Sequence, residues 1–156
     1  MKKAVFLIFT SLVLTQGIFA QADKQKIAGI EKTRMEIRKN ITTLRKIEKS
    51  KDIHGYRDIY LKGKELQLTI VDYKDQDTDK YVEWYFSGGK LIYSEELWTN
   101  IKTSKIVNDQ KYYFENDQMI AWIKKDDKMV DPKSKEFKIL SQQLVIYSGS
   151  LKGEAQ

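Results

Sequence analysis

The residues that could do chemistry in this chain are few and scattered. Glu83, Glu95 and Glu96 are the closest thing to a carboxylate set. In a strand register of period two, Glu83 and Glu96 are expected on the same face, within conceivable acid/base reach for glycoside hydrolysis. Charges on an exposed strand face account for them equally well. Asp75-x-Asp77-x-Asp79 opens like a calcium loop, but the sixth position is Lys80 where Gly is needed, and the twelfth is Phe86 where Glu is needed. An acidic, solvated loop is the expectation. His54 is the single histidine and has no H-x-x-x-H or H-E-x-x-H partner. G-x-S-x-G, P-loop and dinucleotide fingerprints are absent. The sequence therefore leads to no catalytic residue, no metal site and no cofactor, and a non-enzymatic protein is the favoured expectation, with hydrolysis on Glu83 and Glu96 kept as an alternative.

Aromatic residues carry the stronger pattern. Glu83-Trp84-Tyr85-Phe86-Ser87-Gly88-Gly89-Lys90-Leu91-Ile92-Tyr93 recurs, at an offset of 28, as Lys111-Tyr112-Tyr113-Phe114-Glu115-Asn116-Asp117-Gln118-Met119-Ile120-Ala121. Each copy is an aromatic run, a turn pair and an aliphatic run, which reads as a β-hairpin. Two-residue loops put Trp84 opposite Tyr93 and Tyr85 opposite Ile92. One face then gathers Val82, Trp84, Phe86, Leu91, Tyr93, Tyr112 and Phe114 as core. The other carries Tyr81, Glu83, Tyr85, Lys111, Tyr113 and Trp122, aromatic yet charged, as a half-exposed surface is. These six are the candidate binding residues, since Tyr and Trp offer large contact area at low entropic cost. A helix covering this face would make them core instead.

The elements that position these residues follow from periodicity. Ile27, Ile30, Ile37, Ile41, Leu44 and Ile47 form a stripe that predicts one helix over 23–50, docked on the sheet; a coiled-coil dimer is the alternative use of the stripe. Asn40-Ile41-Thr42 matches a glycosylation sequon but falls inside that helix. From Gly55 the period becomes two. Strands are expected over 56–61, 65–73, 81–86, 91–98, 111–114 and 119–124, with Leu66, Leu68 and Ile70 facing one way. Asp131-Pro132 opens a C-terminal helix over 132–148, with Asp as cap, Pro at the first position and Gly149 as its stop. The expected fold is α+β: a roughly six-stranded antiparallel meander over 56–125, with the long N-terminal helix and the C-terminal helix packed on it.

The twin motif, with the Asp-Pro-led closing helix, resembles a group of small exported bacterial proteins in which Tyr-Tyr-Phe-x-Asn-Gly-Lys-Leu-Ile occurs twice. The likeness covers roughly Tyr56 to Tyr147 and implies a fold and a compartment, but no activity. Asn116-Asp117-Gln118 departs from the Asn-Gly-Lys form of that turn. Separately, Ser87-Gly88-Gly89-Lys90-Leu91-Ile92-Tyr93 is similar to the Ser-Gly-x-x-Tyr loop of periplasmic lysozyme inhibitors, with the Tyr displaced to position 93. That likeness implies an inhibitor or immunity-type protein acting through the Ser87–Lys90 turn.

The chain as a whole sets the compartment and the size. Lys2 and Lys3, the apolar run Ala4 to Leu14 and Ala20-Gln21-Ala22 read as a secretory leader over 1–22, cut after Ala22, with a cut after Ala20 as the near alternative. The apolar run is too short to span a bilayer, so a retained anchor is disfavoured. The mature chain, 23–156, is expected to be one exported domain, periplasmic or extracellular. The 156 residues include no Cys, which excludes disulfides, lipid attachment at a leader cysteine and thiolate chemistry. Without Lys2 and Lys3, 26 basic residues face 22 acidic ones, a net +4. A solvated surface with a modest excess of lysine accounts for that charge; an anionic envelope partner is the alternative, and nothing invokes nucleic acid. The functional expectation is a non-enzymatic module of the cell envelope that holds a glycan, peptide or protein on an aromatic sheet face; a small glycoside-type hydrolase is the remaining alternative.

Overall fold

A computed structural model describes residues 23–52 and 55–155. The leader segment 1–22 and His54 lie outside the described residues. Eight antiparallel strands form a single meander in strict chain order, β1 to β8. They are β1 (Arg45–Asp52), β2 (Gly55–Lys62), β3 (Glu65–Lys74), β4 (Thr78–Ser87), β5 (Lys90–Asn100), β6 (Ile106–Glu115), β7 (Gln118–Lys124) and β8 (Lys128–Met129). Helix α1 covers 23–39 and helix α2 covers Lys135–Glu154. The fold is α+β, an antiparallel meander with two helices, and it has eight strands rather than six.

The two extra strands lie at the sheet edges. The helix expected over 23–50 stops at residue 39 because Asn40 turns the chain. The Asn40 side-chain amide donates to the Glu36 carbonyl at 2.9 Å, which caps one of the orphan carbonyls of the last turn. Ile41, Thr42 and Thr43 follow, three β-branched residues that restrict χ1 in a helix. They make a single 3₁₀ turn, with the Thr43 amide and hydroxyl both donating to the Asn40 carbonyl. Leu44 is extended, and the remainder becomes edge strand β1. Ile47 therefore leaves the helical stripe. It packs on the opposite side of the sheet from Ile37, Ile41 and Leu44.

At the C-terminus, Asp131 serves the turn rather than the helix. Its side chain accepts from the Lys133 amide at 2.9 Å. The cap is Ser134, whose hydroxyl accepts from the Phe137 amide at 3.1 Å. Gly149 does not stop α2, because Leu151, fully buried two residues later, continues the apolar stripe into the core.

The turns at Gly88-Gly89 and Asn116-Asp117 form as expected. All four residues have positive φ, from 53° to 72°, the backbone that two-residue hairpin loops require. Phe86 and Phe114 are both buried on one face. The register beyond the turns differs from the sequence reading. Phe86 pairs with Leu91, but Tyr85 pairs with Tyr93, so Ile92 is skipped as a β-bulge. Phe114 pairs with Met119 and Tyr113 with Ala121, so Ile120 is skipped. The β2–β3 hairpin repeats the device: Leu61 pairs with Leu66 and Tyr60 with Leu68, skipping Gln67. A bulge inserts one residue and reverses the facing of everything beyond it. Tyr93 thus leaves Trp84 and Phe86 and joins Tyr85 and Tyr113. Leu68 and Ile70 part from Leu66 in the same way.

Both faces of the sheet are core. On one, α1 packs Ile27, Ile30 and Ile37 over Leu68, Ile70, Tyr85, Tyr93, Tyr113 and Ala121. On the other, α2 packs Phe137, Leu144 and Leu151 against Ile59, Trp84, Phe86, Tyr112, Phe114 and Trp122. Ile37 is buried, whereas Ile41 and Leu44 are half-buried. Among the described residues, no helix is long and apolar enough to cross a membrane.

Candidate functional site

The six residues expected on an open face do not form one. Tyr85 is fully buried, and Glu83 and Tyr113 are 6% and 4% exposed, because α1 lies over them. Trp122, 4% exposed, is on the opposite face. The Ile120 bulge puts it opposite Tyr112. Tyr81 and Lys111 remain partly exposed beside the covered group. The helix that covers this face is the N-terminal one. Its polar residues explain how tyrosine hydroxyls can be buried there. The Arg38 guanidinium pairs with Glu83 at 2.9 Å. Glu83 also accepts from the hydroxyls of Tyr81 and Tyr85. Glu31 accepts from the Tyr113 hydroxyl at 2.8 Å and is paired with Arg34 at 2.8 Å. The Arg34 guanidinium also lies over the Tyr93 ring, 5.0 Å from its centroid. Glu31, Arg34 and Arg38 recur at helical spacing beside the isoleucine stripe. That polar stripe, opposite a run of tyrosines, was the sequence signal for a covered face.

The carboxylates are also redistributed. Glu83 pairs across strands with Glu95, and Glu96 pairs with Val82. Glu83 and Glu96 therefore face opposite sides of the sheet and cannot flank one glycosidic bond. Burial raises the pKa of Glu95, opposed by a hydrogen bond from Tyr93 and the nearby Lys111 charge. The aspartates of the acidic loop are each engaged with a lysine. Asp75 pairs with Lys80 at 2.8 Å, Asp77 with Lys102 at 2.8 Å and Asp79 with Lys74 at 3.3 Å. Asp75 also accepts from the amides of Asp77 and Thr78, closing the β3–β4 turn. The Lys80 hydrogen bond, helped by these amides, lowers its pKa to about 2. Among the described residues, no group of three or more potential metal ligands comes together.

The Ser87–Lys90 turn is tight and tethered. The Gly89 amide faces Glu65, Lys90 donates to Asn116 at 3.0 Å, and Lys152 of α2 reaches the Gly89 carbonyl. It is one of three neighbouring hairpin tips, and it shares with the Asn116-Asp117 tip a loop of two positive-φ residues.

An open site lies on the α2 side. A cleft of about 500 Å³ is lined by Glu96, Gln110, Tyr112, Trp122 and Lys124 from the sheet, with Glu136, Ile139, Leu140 and Gln143 from α2. The bulges build it: Glu96, Gln110 and Lys124 stand side by side on β5, β6 and β7. The Trp122 indole donates to Gln110 Oε1 at 2.7 Å, and Gln110 Nε2 donates to Asn108 Oδ1 at 2.9 Å. Because an indole is donor-only, it fixes which way both amides point. Lys124 sits over the Trp122 ring at 4.5 Å and pairs with Glu136 at 3.0 Å. Glu96 has neither an ion pair nor a hydrogen bond among the described residues, and burial alone raises its pKa. One row further from α2, the aromatic surface continues. Trp98 stands opposite Lys80, whose ammonium lies 4.7 Å from the Trp98 ring centroid and 5.3 Å from that of Tyr73.

No protein family matches the chain, and no curated protein or solved structure matches it either.

Proposed function

We propose that the protein is a non-catalytic binding module of the cell envelope, which holds a glycan in the cleft between α2 and the Glu96–Gln110–Lys124 row. The observation that carries this reading is the lining of the cleft. Trp122 and Tyr112, one free carboxylate, two amides and an ion pair converge on a space of about 500 Å³. Small-ligand sites combine apolar and aromatic walls with a few fixed polar groups in this way. A sugar ring has an apolar face, which Ile139 in the cleft and Trp98 and Tyr73 beyond it can meet, and a rim of hydroxyls for carboxylate and amide partners; Trp122 and Tyr112, 4% and 1% exposed, form the floor. Trp98 and Tyr73 extend the aromatic surface along the same sheet face, so a polymer has room to run on. The leader-like N-terminal sequence supports the envelope as the compartment. The dispersal of Glu83 and Glu96 to opposite faces favours binding over hydrolysis.

Ile139 tests this reading. It lines the cleft yet is 44% exposed, so a charge there should obstruct a ligand without disturbing the core. Wild-type protein should be retained on immobilised envelope polysaccharide. Ile139→Arg should bind at least about tenfold more weakly with an unchanged melting temperature. Failure of the wild type to bind any envelope polysaccharide, or equal binding by the variant, would contradict the reading.

A further inference from the structure

We infer that Glu96 is the counter-ion for a ligand ammonium group, so that the glycan taken in the cleft carries free amino sugars. This rests on the glycan reading above and names its substrate class.

The cleft holds two carboxylates, Glu96 and Glu136, and one ammonium, Lys124. Lys124 is already committed: Glu136 holds it at 3.0 Å and the Trp122 ring lies beneath it at 4.5 Å. Glu136 is in the first turn of α2, where the helix dipole favours a carboxylate. This pair is therefore satisfied within the protein. Glu96 is not. Its strand neighbours across the sheet are Val82 and Gln110, and the Gln110 amide is already used by Trp122 and Asn108. The facing groups from α2 are Leu140, Ile139 and Gln143, none of them cationic.

A half-buried carboxylate without a cation is unusual in a chain whose mature part carries net positive charge. Such a group destabilises the fold when ionised unless something compensates it. A ligand hydroxyl would donate one hydrogen bond. A ligand ammonium would add charge neutralisation to that bond, and charge-assisted bonds are roughly twice as strong as neutral ones. The Lys124–Trp122 contact shows that this cleft accommodates an ammonium against its aromatic wall. An N-acetylated sugar would bring a bulkier, uncharged amide to the same place and leave Glu96 without a counter-charge.

The test is calorimetric titration with four probes at a pH where the sugar amine is protonated. They are a glucosamine tetrasaccharide, its fully N-acetylated form, cellotetraose and spermidine. The glucosamine tetrasaccharide should bind at least about tenfold more tightly than the N-acetylated form and cellotetraose. Glu96→Gln, which keeps the shape and removes the charge, should abolish that preference while weak binding of cellotetraose persists. Equal binding of all three tetrasaccharides, or a preference unaltered in Glu96→Gln, would overturn the inference and leave the glycan reading standing. Spermidine binding as tightly as the glucosamine tetrasaccharide would overturn the amino sugar as the source of the amine. No binding of any tetrasaccharide would end this inference, and the glycan reading would then rest on the envelope polysaccharide test alone.

Discussion

Glu96 also has a consequence that needs no ligand. Its carboxyl pKa is raised by burial, without a compensating partner. A carboxyl whose pKa rises on folding weakens the folded state only when it is ionised. The cost is absent below the ordinary value of about 4.3 and complete once the pH exceeds the raised folded value. Glu96→Gln should therefore melt at a higher temperature than wild type at neutral pH, and the two curves should converge below about pH 4. A melting series across that range checks it; a variant less stable than wild type at pH 7 would mean that Glu96 has a favourable partner. Glu83 stands in a different environment one strand away, buried with Arg38 and two tyrosine hydroxyls around it. The sequence shows both glutamates and cannot separate them, since the difference lies in which face each one meets.

At the scale of elements, the bulged hairpin is the repeating unit, and it occurs three times. Tyr60-Leu61, Tyr85-Phe86 and Tyr113-Phe114 precede the turns, and Leu66, Leu91 and Met119 follow them. The first copy stands 25 residues before the second, not 28, because the intervening turn is shorter, so a single fixed offset passes over it. The turns were legible in the sequence, as Gly-Gly and Asn-Asp pairs declare a backbone of positive φ. The bulges were not. Leu91-Ile92-Tyr93 and Met119-Ile120-Ala121-Trp122 are unbroken apolar runs, which do not alternate and so leave the strand phase unspecified. The end of α1 was partly legible, in Asn40 and the β-branched residues behind it, but a stripe continuing to Leu44 and Ile47 masked it. The third turn also yields a prediction. Asp117 has φ 60° without being Gly, and one of its side-chain oxygens is buried without a hydrogen bond. Asp117→Gly should relieve both and stabilise the protein by roughly 0.5–1 kcal/mol, read as a higher urea midpoint at unchanged slope. A lower midpoint would show that the strain is not there.

At the scale of the molecule, one sheet serves two cores, and the phase of its strands decides what each core contains. Composition and periodicity were enough for an α+β meander with two helices. The candidate site was not legible, because each bulge exchanges the faces of residues beyond it. Tyr85 and Tyr113 are shut under α1, while Glu96 and Gln110 line the cleft beside α2, with the buried Trp122 as its floor. That exchange is what puts Glu96 in the cleft. The measurement that tests it most directly is a proton NOE experiment on the Tyr93 ring, whose position reports the phase of β5. With the bulge at Ile92, Tyr93 lies 5.1 Å from the Tyr113 ring and 5.7 Å from the Tyr85 ring, centroid to centroid, with Arg34 of α1 above it. NOEs from Tyr93 to Tyr113, Tyr85 and the Arg34 side chain are the predicted result. NOEs from Tyr93 to Trp84 and to α2 residues such as Leu144 would put β5 in regular register, return Glu96 to the face of Glu83, and contradict the account.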